Sequence, residues 1–278
     1  MKLEKWTRAR SFPTLPLGDN NSKIAGSSRH IALCREAACE GTVLLKNERD
    51  VLPLKKGTKL AIFGIAQIDY VRGGGGSGEV FCEYIRNIYE GLREKNDRVS
   101  IFHKLSLYYQ NAVLEQYEKG LDYGRLTEAP VPYELLSEAK EFTDTALITI
   151  CRYSTEGQDR RNDGTDDYYE LSIPEKEMVK KVTANFKNVI VTLNTGAMID
   201  TSWFAYNDKI QSALMVWQGG MEGGLSVADI LVGDANPSGK LVDTCAREFN
   251  DYPSSYNFHE SKDYVEYTED IFCWLPLF

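Results

Sequence analysis

Short apolar runs alternate along the chain with longer segments in which apolar residues recur at helical spacing. Five runs have the length of strands: Lys59–Ile65, Arg98–Leu105, Asp144–Cys151, Asn188–Asn194 and Lys209–Trp217. Helices are predicted over Val80–Lys95, Leu107–Glu118, Pro132–Phe142, Pro174–Asn185 and Glu222–Leu231, and an earlier one over 27–47 with Ser28 as its N-cap. The strand runs are continuously apolar, which is typical of strands covered on both faces. The pattern therefore predicts an α/β fold, a three-layer helix–sheet–helix sandwich with a mostly parallel sheet of about six strands.

The two ends of the chain depart from this pattern. Residues 1–28 are polar and contain several prolines and glycines, so we expect an N-terminal arm. The sandwich domain is predicted over 29–245. Residues 246–278 include an acidic stretch and are expected to form a C-terminal extension that leads to another domain.

Composition and charge exclude several classes of function. The chain has 278 residues, of which 42% are hydrophobic, and a formal net charge of −9. This acidic balance argues against a nucleic-acid partner and against binding to an anionic membrane. No apolar run approaches the roughly 18 residues that span a bilayer, so no membrane partner is expected. The basic N-terminus lacks the apolar stretch of a secretory signal, and the expected location is cytoplasmic.

Cysteine and histidine spacing gives no indication of a metal site. The six cysteines include no CxxC pair, and the three histidines lie far apart in the chain. We therefore expect no metal, no cofactor, and thiols that are reduced and half-buried as small apolar groups.

A glycine-rich loop follows the first strand. Gly73, Gly75 and Gly78 satisfy the GxGxxG pattern of dinucleotide-binding proteins. However, the glycines begin eight residues after Ile65, and no acidic residue closes the next strand, so a nucleotide site is disfavoured. Two interpretations remain: a flexible surface loop, and bare backbone that a bulky neutral polyhydroxylated ligand approaches closely with Ser77 at its side.

An acidic loop follows the strand that ends at Cys151. It presents Glu156 beside Gly157, and Asp159 with Arg160 could fix the base of the loop through charge-assisted hydrogen bonds. A general acid needs a carboxyl group presented in this way, with a pKa that its surroundings raise. Taken alone, the residue is better explained as a solvated surface glutamate, and the motif becomes informative only in combination with others.

Taken together and in order, five segments resemble the α/β sandwich domain of glycoside hydrolase family 3, of the β-glucosidase type. They are EAACEGTVLLKNERDVLPL, KLAIFG with GGGGSGEV, RYSTEGQDR with YYELSIPEKE, VIVTLNTGAMID, and VWQGGMEGGLSVADILVGDANPSGKL. The resemblance covers about residues 30–270. It implies a retaining glycosidase that acts on a β-linked oligosaccharide or glycoside.

The resemblance also implies roles for particular residues. Glu156 matches the family's general acid/base, and Gly75, Gly76 and Ser77 match a loop that borders the sugar. Asp159 and Arg160 would structure the loop of Glu156. The nucleophilic aspartate of the family lies in a (β/α)8 barrel, and the two carboxyl groups of a retaining enzyme stand about 5–5.5 Å apart.

These 278 residues contain no counterpart of that barrel. A barrel domain is therefore an expected partner, in cis or in trans, and the isolated chain is expected to be inactive. The sandwich motifs begin soon after Met1, as in the minority of the family with the sandwich first, which predicts truncation before the barrel. Relatives usually continue with VGYRYF at this point. One inserted nucleotide would change the codons of that segment into codons for Cys273–Phe278. A frameshift, a truncation and a natural end are three open explanations for this sequence. The alternative function is a non-catalytic carbohydrate-binding or barrel-complementing module.

Overall fold

The computed structural model describes residues 26–80, 82–157, 169–257 and 261–268. The strands are β1 (Val43–Asn47), β2 (Thr58–Phe63), β3 (Val99–Ile101), β4 (Thr145–Arg152), β5 (Asn188–Thr195) and β6 (Ser212–Met215). The helices are α1 (Ser28–Gly41), α2 (Ile88–Glu94), α3 (His103–Glu118), α4 (Tyr133–Phe142), α5 (Ile173–Asn185), α6 (Ser202–Ala205) and α7 (Gly223–Val232).

The strands form one six-stranded sheet in the order β1-β6-β5-β4-β2-β3. Every neighbouring pair is parallel except β1 with β6. Each face of the sheet packs against its own apolar cluster. One cluster is formed with α3, α4 and α5, and the other with α1, α2 and α7. Leu60 and Ile62 face one cluster while Ala61 and Phe63 face the other, so the last four residues of β2 are all apolar. This confirms the predicted three-layer sandwich with its mostly parallel sheet.

The first predicted helix is wrong in its second half. The helix ends at Gly41, and Val43–Asn47 pairs antiparallel with β6 as the sixth strand. Val43 is buried in this pairing. A short apolar run can form a helix or a strand, and here the tertiary contact with β6 decides its state. The N-cap is Ser27 rather than Ser28, since the Ser27 hydroxyl accepts the amide of His30.

The predicted helix over Val80–Lys95 begins later than expected. Its first residue is Ile88, because Asn87 and Glu90 form a capping box that fixes the start of the helix. The strand predicted over Arg98–Leu105 is shorter, and α3 begins at His103. The remaining four predicted strands are present, with ends that shift by a few residues.

The topology brings two loops together at one edge of the sheet. β2 and β4 are parallel neighbours, with Phe63 opposite Ile148. The segments that follow these strands therefore leave the sheet side by side, at the carboxyl ends where ligands bind in open α/β sheets.

One carboxyl group is buried beneath these loops. Glu128 accepts the amide protons of Ile65 (3.1 Å) and Ala129 (3.0 Å) with its two oxygens. It borders a cavity of about 170 Å³ whose wall also includes Tyr153. Burial, reinforced by the nearby Glu175 charge, raises the pKa of Glu128 to about 8. The group is therefore protonated in the folded chain at neutral pH.

This pKa predicts a pH-dependent cost to stability. The unfolded carboxyl has a pKa of about 4.3, so between about pH 5 and 8 the folded chain holds a proton that the unfolded chain releases. The free energy of unfolding therefore falls as the pH rises through this window. Glu128→Gln does not show this loss. Any amount by which its free energy of unfolding lies below that of the unmodified chain at pH 5 is therefore expected to shrink by up to a few kcal/mol at pH 8. Urea unfolding followed by tryptophan fluorescence measures the difference.

Glu118→Gln is the matched control, because Glu118 is exposed at the end of α3. Its stability relative to the unmodified chain is expected to be the same at both pH values. A Glu128→Gln difference that does not change between pH 5 and 8 would contradict the assigned pKa.

Candidate active site

The stem of the glycine loop is held by the neighbouring strand ends. The Asn194 side chain pairs with both backbone groups of Val71, accepting its amide proton (2.7 Å) and donating to its carbonyl (2.9 Å). The same amide nitrogen donates to the carbonyl of Trp217 at 2.6 Å. The buried Tyr70 hydroxyl accepts the amide of Gly219. The loop therefore begins from a fixed position at the centre of the sheet edge.

The glycine loop crosses the loop that follows β4, and the two segments pair there through an isolated parallel β-bridge. Gly75 pairs with Thr155, and its amide donates to the carbonyl of Ser154 at 2.9 Å. A Cβ on Gly75 would lie 2.5 Å from the Thr155 hydroxyl, and one on Gly76 would lie 2.4 Å from Cβ of Glu156. Gly76 also has a φ of +69°, which a side chain disfavours. This crossing therefore requires bare backbone at both positions.

Glu156 lies at the crossing with its side chain exposed. Its Oε2 accepts the backbone amide of Ser77 at 2.8 Å. Hydrogen bonds from the Ser77 amide and then its side chain hold the pKa of Glu156 below its ordinary value. In the chain by itself the group is thus a carboxylate at neutral pH, which can accept a proton, and the raised pKa that a general acid requires is not provided.

The structure thus brings four of the candidate residues together: Gly75, Gly76, Ser77 and Glu156. Asp159 and Arg160 lie outside the described residues. The dinucleotide pattern is not matched by the geometry, since α2 begins at Ile88, well beyond the last glycine of the loop, and its N-terminus does not meet the glycines.

An ion pair that the sequence did not indicate closes the two ends of the Glu156 loop. Arg152, at the end of β4, makes two hydrogen bonds to Glu175 of α5, at 2.7 and 2.8 Å. It also donates to the carbonyl of Glu170 at 2.9 Å, so it holds both the start and the end of the loop. Both charged side chains are buried. The Ser172–Glu175 capping box, visible in the sequence, placed Glu175 at the start of α5 but did not indicate its partner.

Within the described ranges, no cluster of three or more histidine, cysteine or acidic side chains could hold a metal ion. The cysteines of these ranges are free thiols: Cys34, Cys39, Cys82, Cys151 and Cys245. In the same part of the chain, no helix is both long and apolar enough to cross a membrane.

Comparison with known proteins identifies relatives along most of the chain. β-Glucosidase A of Butyrivibrio fibrisolvens is 48% identical over 291 residues, an alignment that covers 97% of this chain and 35% of the relative. The crystal structure of a β-glucosidase from Paenibacillus barengoltzii matches with a TM-score of 0.75 and 38% identity, covering 82% of this chain and 25% of that one. β-Glucosidase 3B of Thermotoga neapolitana, in complex with α-D-glucose, matches with a TM-score of 0.79 and 34% identity, covering 91% and 36%.

The chain therefore spans about a third or less of the length of these relatives. The model of the glycosyl hydrolase family 3 C-terminal domain matches residues 42–274, which is most of the chain. Together with the fold, this match confirms the resemblance in the sequence. The chain belongs to glycosyl hydrolase family 3 and carries the C-terminal domain of that family.

Proposed function

We propose that this chain supplies the general acid/base, Glu156, for the hydrolysis of β-linked glucosides with retention of configuration. The observation that carries the proposal is the exposed Glu156 carboxylate held against Gly75–Ser77 by the Ser77 amide. The family of the chain and the β-glucosidase names of its relatives support the same activity.

In the proposed mechanism, Glu156 acts twice. An aspartate of a (β/α)8 barrel, in cis or in trans, attacks the anomeric carbon, and the bond to the leaving oxygen breaks as protonated Glu156 gives that oxygen its proton. The resulting Glu156 carboxylate then takes a proton from water, whose oxygen attacks the anomeric carbon and displaces the aspartate. Glu156 is thereby protonated again for the next cycle.

The glycine loop has two proposed tasks in this reaction. The Ser77 amide stabilises the carboxylate that Glu156 becomes after the first proton transfer. The bare backbone of Gly75 and Gly76 leaves room for a sugar ring beside the carboxyl group, with the Ser77 hydroxyl as a further polar contact. Asp159 and Arg160 are proposed to shape the loop beyond Glu156 without entering the chemistry.

The domain boundaries of this proposal follow the predicted ones. We propose residues 29–245 as the sandwich, 1–28 as an arm, and 246–278 as a segment leading toward the barrel; within these ranges 1–25, 81, 158–168, 258–260 and 269–278 lie outside the described residues. Within the described part of that segment, Phe249 and Tyr252 pack edge-to-face on Tyr169, at the far end of the Glu156 loop. This contact joins the start of the segment to the end of the Glu156 loop.

Substitution of the acid/base tests the proposal directly. In the enzyme assembled from this chain and a barrel domain, Glu156→Gln is expected to lower kcat/KM for alkyl glucosides by roughly 10²–10⁴-fold. The loss should be much smaller for aryl glucosides with acidic leaving groups, since these depart without a proton. Steady-state kinetics across a series of leaving groups measures the dependence.

The exposed Glu118 again provides the control, and Glu118→Gln should retain the unmodified kinetics. Equal losses for all leaving groups would remove Glu156 from the acid role. Full hydrolysis of glucosides by Glu156→Gln would remove it from the reaction.

The glycine crossing generates a second prediction. Gly76→Ala places a Cβ within 2.4 Å of Glu156 Cβ and in a left-handed conformation, so it should displace Glu156. In the assembled enzyme we expect kcat/KM to fall by roughly a hundredfold, the cost of an ångström-scale misplacement. Gly78→Ala in the same loop is the control, because its Cβ meets nothing within 4 Å. Equal activity of the two variants would show that the crossing does not position Glu156.

A further inference from the structure

Tyr123 lies outside both loops of the candidate active site yet contacts the stem of each. It belongs to the connection between α3 and α4. Its hydroxyl accepts the backbone amide of Arg72 at 2.6 Å and donates to the carbonyl of Tyr70 at 3.2 Å. Its ring meets the ring of Tyr153 edge-to-face, with centroids 5.6 Å apart.

On the glycine-loop side, Tyr123 fixes the last residue before the glycines. The Arg72 guanidinium lies over the Tyr123 ring, 4.6 Å from its centroid. The carbonyl of Arg72 accepts the amide of Gly220 at 3.0 Å, so both backbone groups of Arg72 are held. The four glycines that follow have no side chains to pack, and the path toward Ser77 therefore depends on where Arg72 is anchored.

On the other side, Tyr153 directly precedes the segment that carries Glu156. Its hydroxyl lies beneath the glycine loop, 2.1 Å from the point where a Cβ on Gly75 would stand. The two tyrosine rings thus connect the anchor of one loop with the start of the other. Tyr117, at the end of α3, adds a second anchor by donating its hydroxyl to Asp69 at 2.5 Å.

From this geometry we infer that Tyr123 is a positioning residue, which sets the register of the glycine loop against the Glu156 loop and so maintains the contact of Ser77 with Glu156. The inference rests on the proposed function for its catalytic meaning. It makes the connection between α3 and α4 a third part of the site, although that connection supplies no reacting group.

Tyr123→Phe tests the inference, because it removes the hydroxyl and retains the ring that packs on Tyr153. The first measurement uses this chain labelled with ¹³C in its glutamate carboxyl groups, with the Glu156→Gln spectrum assigning the Glu156 signal. We expect the pKa of Glu156, held below its ordinary value by Ser77, to move up toward that value in the variant. Exchange of the Ser77 amide proton should become roughly tenfold faster, as loss of one ordinary hydrogen bond implies.

The matched control is Tyr108→Phe, which removes a hydroxyl that also donates to a backbone carbonyl, that of Pro130, a residue of neither loop. It should leave both Glu156 and Ser77 unchanged. Tyr117→Phe, which loosens the neighbouring anchor at Asp69, should shift both signals in the same direction as Tyr123→Phe. Unchanged Glu156 and Ser77 signals in Tyr123→Phe would overturn the inference, whatever the Tyr117 variant shows.

A kinetic measurement separates this inference from the proposed function. In the assembled enzyme, Tyr123→Phe should lower kcat for glucosides with poor leaving groups by a larger factor than it raises KM. It should also shift the alkaline limb of the pH dependence of kcat. If Glu156→Gln hydrolyses every substrate normally while Tyr123→Phe still shifts Glu156 and Ser77, the proposed function fails and the positioning contact stands. If Glu156→Gln is inactive and Tyr123→Phe changes neither the two signals nor the profile, only the inference fails.

Discussion

The arrangement of the site depends on one hydrogen bond, from the backbone amide of Ser77 to Oε2 of Glu156. This bond forms only where two chain segments cross at backbone distance. Side chains at the crossing would prevent it, since a Cβ on Gly76 would overlap Glu156 itself. Gly75 and Gly76 are therefore explained by the space that the crossing and its presented carboxylate need. No phosphate or dinucleotide has to be invoked for them, and the helix that follows begins too late to bind one.

The sheet makes this crossing possible because it places β2 beside β4, although β3 and three helices lie between them in the chain. The two loops leave parallel neighbours at the same edge, and polar side chains from other strand ends and connections then fix them. Asn194 pairs with Val71 as a strand would, and the buried Arg152–Glu175 pair closes the Glu156 loop at its base. Removing one partner of such a buried pair would leave an uncompensated charge, so the closure is a strong constraint on the loop.

Much of the fold could be predicted from local pattern, and much of the site could not. Continuous apolar runs identified five strands and their parallel arrangement, because burial on both faces leaves a direct trace in composition. β1 was missed because the predicted helix was extended through Gly41, and only the pairing of Val43–Asn47 with β6 decides the state of that run. In the site, Ser77 and Glu156 are 79 residues apart, and Arg72 and Tyr123 are 51 apart. No spacing rule connects such residues; the family resemblance indicated the first pair, and nothing in the sequence indicated the second.

The Ser77 bond also sets a requirement on whatever covers the site. It stabilises the charged form of Glu156 and lowers the pKa, whereas proton donation to a glycosidic oxygen needs a pKa near or above the working pH. An exposed carboxylate cannot meet this need alone. A wall that removes water from Glu156, or a second carboxylate close by, raises the pKa by desolvation or by charge repulsion. In the proposed assembly the barrel supplies both, and formation of the glycosyl intermediate neutralises the aspartate, which removes the repulsion when Glu156 must act as a base. The sandwich therefore contributes a well-placed group whose acidity the barrel has to complete.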